Sequence, residues 1–161
     1  MDFQKPLRDH LLWLLRSGGA HVTFAAAVEG FPPERAGASA PGLPHTAWQL
    51  VEHLRIAQRD ILDFCRDPEA ESPPWPEGFW PAPSPPGEDV WRASLAAFDA
   101  DLAALEALVA DPATDLLAQL AWGAPGVTLL REALLVADHN AYHVGQLVDL
   151  RRALGLWPAA A

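Results

Sequence analysis

Three histidines carry the chemistry this chain offers most readily. His139 and His143 occur in Asp138-His139-Asn140-Ala141-Tyr142-His143, four residues apart. On a helix that spacing puts both imidazoles on nearly one face, roughly 6 Å apart along the axis and within reach of one ion. A third comes from His53, three residues after Leu50 and four before Ala57, hence on the inward stripe of another helix. An inward imidazole needs a partner. Three neutral imidazoles around a divalent ion leave coordination positions open for water or substrate, as in sites that act rather than brace. With no carboxylate to offset its charge, such an ion lowers the pKa of a bound water or thiol. The alternative is plainer: His139 and His143 are ordinary polar residues of a helix packing, and His53 bonds to a backbone carbonyl or a water.

Acid or base help is on offer from Glu132 and Gln146, each seven positions from His139 and so on its face. His21, just after the Gly18-Gly19 break, can approach as a substrate-facing group, and Asp138 can bond to a neighbouring histidine. Each of these has an ordinary alternative as a solvated or interhelical contact. His10 and His45 earn no role from sequence. Several chemistries lose ground. The residue after His139 is Asn140, where a zincin protease needs its glutamate base. There is no paired Glu-x-x-His of the di-iron bundles, no Gly-rich phosphate loop and no Gly-x-Ser-x-Gly elbow.

Helical periodicity supplies the elements that must position these residues. Leu7, Leu11, Leu14 and Leu15 make a first helix from Pro6 to Arg16, which Gly18-Gly19 interrupts. Thr23 caps a short continuation to Ala27, and the breakers of Gly30 to Pro44 form a connection. Thr46 followed three residues later by Gln49 is a capping box. It opens a helix carrying Leu50, Leu54, Ala57, Ile61 and Phe64 to about Arg66. Pro68 to Gly87 holds eight of the sixteen prolines, with Trp75, Phe79 and Trp80, and is expected to pack as a strap that partly closes over a site. Trp91, Leu95, Phe98, Leu102, Leu105 and Val109 keep heptad-like spacing with no inward polar residue, which predicts a structural wall. A few extended residues from Leu116 to Trp122 and a turn at Gly123 to Gly126 lead to Thr128, the cap of the last helix. That helix runs from Leu129 to Leu154 with a predicted stripe of Leu130, Leu134, Ala137, Ala141, Val144, Val148 and Leu154. Four long helices without period-two strands or internal repeats indicate an all-α fold, a four-helix bundle.

Composition bounds the setting. The 161 residues, 17.4 kDa, suit one domain spanning 1–161 with a real core. A formal charge of −10 argues against nucleic-acid binding as the main function. A single cysteine, Cys65, fits a reducing compartment, and no apolar run approaches a signal core or membrane span, so the chain is expected to be cytoplasmic.

The segments Pro44 to Gln58, Leu130 to Leu134 and Asp138 to Gln146, together with Trp-Pro-Glu-Gly-Phe-Trp-Pro at Trp75 to Pro81, resemble the DinB/YfiT-like family of bacterial damage-inducible proteins over nearly the whole chain. The resemblance implies a four-helix bundle with a long crossover, often a homodimer, and a metal on three histidines that fall on His53, His139 and His143. It implies zinc or nickel as the ion, and a small-molecule substrate. Activities implied are transfer of a low-molecular-weight thiol, thiol-dependent isomerisation or hydrolysis. A family name does not settle function. The competing expectation is a non-catalytic stress-response bundle that binds metal or a partner. One departure stands out: Trp122-Gly123 occupies a place where some relatives carry a polar His-Gly pair, so a change in substrate preference is expected if that region lines the pocket.

Overall fold

The computed structural model describes residues 4–83 and 87–157. Five α-helices follow one another: α1 (Gln4–Ser17), α2 (Phe24–Val28), α3 (Ala47–Arg66), α4 (Glu88–Ala110) and α5 (Leu129–Ala153), with one 3-10 turn at Pro33–Arg35. Among the described residues there is no strand, only an isolated antiparallel bridge between Gln119 and Thr128 ahead of α5. Helix α3 packs against α4 and α5, α1 against the same two, and α2 against α5.

The starts of these helices are written in their caps. Thr23 and Thr128 accept from the amides of Ala26 and Arg131, and the Thr46–Gln49 capping box is complete in both directions. Each satisfies amide donors that the first helical turn leaves without partners. The capping box also sets the register of α3, and so the face on which His53 lies.

Apolar side chains gather into two clusters. One contains Phe24, Leu50, Leu54, Trp91, Phe98 and Leu147, with the rings of Phe24 and Phe98 stacked at 3.9 Å. The other holds Leu11, Leu15, Leu62, Leu105, Val109 and Val136. Burying one such side chain fully stabilises the fold by about 1.5–3 kcal/mol.

Two expectations need correction. The stripe on α5 is wider than one helix face and partly out of phase: Leu129, Ala133, Val136, Leu147 and Leu150 are buried, whereas Leu134 is 45% exposed. Helix α5 is contacted by α1, α2, α3 and α4, so its buried surface is not a single seam. Helix α4 is not a purely apolar wall, because Ser94 and Asp101 are buried on it. Polar residues of α3 face them. Ser94 donates to Glu52, Arg59 Nη1 donates to Asp101 Oδ1 at 3.3 Å, and Gln58 Nε2 donates to the Phe98 carbonyl at 2.8 Å.

Arg151 is likewise an internal staple rather than half of a surface basic pair. It is 1% exposed and donates to the carbonyls of Ala27 and Leu156 at 2.6 and 3.1 Å. It thereby ties the segment after α5 to α2.

The strap after α3 folds back along the helices as expected. Gln49 Nε2 donates to the Pro81 carbonyl at 3.1 Å, and Trp80 packs against the first cluster. The strap's Pro85 and Pro86 lie outside the described residues.

Candidate metal centre

His53 is buried on α3, 3% exposed, and its ring is held from two sides. The strap carbonyl of Phe79 lies 3.0 Å from Nδ1, and the Trp80 indole stacks on the imidazole at 3.8 Å with planes 6° apart. A carbonyl can only accept, so Nδ1 carries the proton. That leaves the Nε2 lone pair facing inward.

His139 and His143 come from α5. His143 Nδ1 lies 2.8 Å from Gln146 Oε1, which fixes the same tautomer and frees its Nε2. His139 Nε2 stands 3.1 Å from His53 Nε2. The potential donor atoms of all three residues lie within 4.8 Å of one another. Two imidazole nitrogens bound to one tetrahedral ion with Zn–N near 2.0–2.1 Å are separated by about 3.3 Å. The observed approach matches that spacing. Facing lone pairs would repel unless a proton or a cation lies between them, so the donor set fits a divalent ion.

Electrostatics keeps the rings in the form a metal needs. Burial, then His143 and His53, lowers His139 to about 4. Burial is also the largest cause for His53, lowered to about 4 although its bond to Phe79 opposes the shift. Burial lowers His143 too, against the bond to Gln146. His53 and His139 are therefore neutral at pH 7, with no proton to displace from the inward nitrogens.

The cluster opens on a cleft of about 550 Å³ between α3, α5 and the strap. Trp75, Phe79 and Trp80 from the strap and Leu135, Tyr142 and Gln146 from α5 line it. His45, given no role from sequence, belongs here as well: it stacks on Trp80 at 4.0 Å with planes 13° apart. Two imidazoles parallel to one indole and each about 4 Å from it cannot share a face, so Trp80 is sandwiched between His45 and His53. The only signal in the sequence was the aromatic content of a proline-rich loop. Nothing local paired His45 with a tryptophan 35 residues away.

Of the acid or base candidates, Gln146 reaches the cleft and Glu132 and His21 do not. Glu132 is buried at 2% exposure two helical turns before His139 and accepts from Arg131. His21 is exposed, bonds to its neighbour's carbonyl through Nδ1, and lines a separate cavity of about 230 Å³ that also contains Asn140. Asn140 turns away from the histidines, its Nδ2 donating to Gln58 Oε1 at 3.1 Å. Asp138 is exposed. Trp122 does not line the cleft; its Nε1 donates to the Phe64 carbonyl at 2.7 Å and secures the loop before α5. The Cys65 thiol is pushed up to about 12 by burial and then by Glu132, which disqualifies it as a nucleophile.

Fold and site together define an all-helical protein whose three clustered histidines, on two separate helices, could hold a metal ion beside an open cleft. A family model described as DinB superfamily matches residues 20–147, and the chain belongs to that superfamily. No curated protein and no solved structure matches it.

Proposed function

We propose that His53, His139 and His143 hold one divalent ion, zinc or nickel, and that the protein is a metal-dependent enzyme. It would deliver a small thiol or water to an electrophilic small molecule, as a thiol transferase or a hydrolase. The observation that carries this reading is the 3.1 Å approach of the two Nε2 atoms, with the Nδ1 atoms of His53 and His143 committed to Phe79 and Gln146. The chemistry such an ion supplies is acidification of a bound thiol or water at neutral pH.

The chain's own groups do the rest. Phe79 and Gln146 orient two of the rings, Trp80 shields His53 from water, and the cleft gives a second reactant a place beside the cluster. A purely structural metal is usually closed off by four protein ligands. Three ligands on the floor of an open cleft favour the reactive reading over a non-catalytic stress-response bundle. The same reading takes the four long helices as a four-helix bundle with the strap as its crossover, in a cytoplasmic homodimer.

Metal analysis of purified protein reconstituted with zinc or nickel is expected to give close to one ion per chain, and His139→Ala close to none. Cobalt-substituted protein should show a visible spectrum that changes on adding a thiol. Wild-type protein that stays free of metal after reconstitution sinks the proposal, and a cobalt spectrum indifferent to thiols sinks its catalytic part.

A further inference from the structure

The walls of the cleft say what kind of molecule suits it. Trp75 and Tyr142 are 69% and 65% exposed, unusual for large aromatic side chains unless they contact something. Both line the cleft with Trp80 and Phe79, and no Lys or Arg does. The single carboxylate there is Asp60, seven residues after His53 on α3 and so about 10 Å further along the same face. Asp60 is partly buried and makes no hydrogen bond or ion pair among the described residues. It also borders a neighbouring groove containing Arg55 and Arg59, but these guanidinium groups are engaged by Glu52 and by Asp63 and Asp101. The cleft thus joins π faces to an unpartnered carboxylate, in a chain of net charge −10 that draws cations toward it.

We propose that this cleft takes an aromatic cation, its ring against Trp75 and Tyr142 and its ammonium at Asp60, with the reactive end left to the histidine cluster. The inference rests on the metal-dependent reading for what happens at the histidines, but not for the recognition itself. An anionic group at the remote end would face Asp60 with no cation to offset it. Multiply carboxylated molecules are therefore poor candidates, whatever an ion at the histidines would attract.

The test uses three probes of one shape, 3-phenylpropylamine, 3-phenylpropan-1-ol and 3-phenylpropanoate, titrated against the full chain and followed by tryptophan fluorescence. On metal-free protein the amine is expected to bind about three- to tenfold more tightly than the alcohol, and the carboxylate more weakly than either. Asp60→Asn should bring amine and alcohol within about twofold of each other. Trp75→Ala, at an exposed position that threatens no core packing, should weaken amine and alcohol alike. Equal binding of amine and alcohol to the wild type, an amine preference that survives Asp60→Asn, or no binding by any probe overturns the proposal. Repeating the titration with zinc-loaded protein separates the two readings. A chain that takes no metal yet prefers the amine retains this inference and loses the metal-dependent one, and the reverse pattern does the opposite.

Discussion

At the scale of single residues, the site depends on imidazoles that stay neutral because they are buried. The folded protein holds His53 and His139 near 4, against an ordinary value of 6.5. Below about pH 6.5 the unfolded chain takes up protons that the folded one refuses, so this contribution to stability is complete above that pH and is lost as pH falls toward 4. Urea midpoints of metal-free protein should therefore fall between pH 7 and pH 5, and fall less steeply in the double variant His53→Gln/His139→Gln. Identical slopes would show that these rings do not titrate with folding. Acidification should weaken metal binding in the same direction, since protons compete for the same nitrogens. Much of this site was legible beforehand: the four-residue spacing named His139 and His143, and the interval from Leu50 turned His53 inward. His45 was not legible, because its partner is an indole brought back by the strap.

At the scale of elements, α3 does most of the positioning, and its first turn sets its register. Replacing Thr46 with Ala removes the side-chain acceptor for the Gln49 amide and should cost about 1 kcal/mol in urea denaturation. A change within a few tenths of zero would mean that tertiary packing, not the cap, fixes where the helix begins. Gln49 has a second task, since its amide donates both to the strap at Pro81 and, through Oε1, accepts from the Thr46 amide. Capping is a contest among residues a few positions apart, which explains why α2, α3 and α5 could be read from Thr23, Thr46 and Thr128. The polar residues of α4 escaped that kind of reading. Ser94 and Asp101 look like surface positions until Glu52 and Arg59 of α3 are set against them.

At the scale of the whole molecule, ligand atoms on α3 and α5 make metal binding a clamp between two helices far apart in sequence. An ion bound only by the folded state at a hundred times its dissociation constant stabilises it by about 2.7 kcal/mol. Zinc is accordingly expected to raise the melting temperature of the wild type, EDTA to reverse the rise, and His143→Ala to abolish it. A wild-type melting temperature indifferent to zinc would mean that the histidines do not grip an ion as a unit. The amino-acid sequence by itself determined the helices, their caps, the all-α class and the three residue types able to bind a metal, because periodicity, capping and ligand chemistry act over a few neighbouring residues. The tertiary structure alone decided that Trp80 lies between His45 and His53, that Glu132 and His21 face elsewhere, and that α5 is buried on more than one face. Those outcomes depend on which surfaces meet when a proline-rich strap and five helices pack, and no spacing along one helix carries that information.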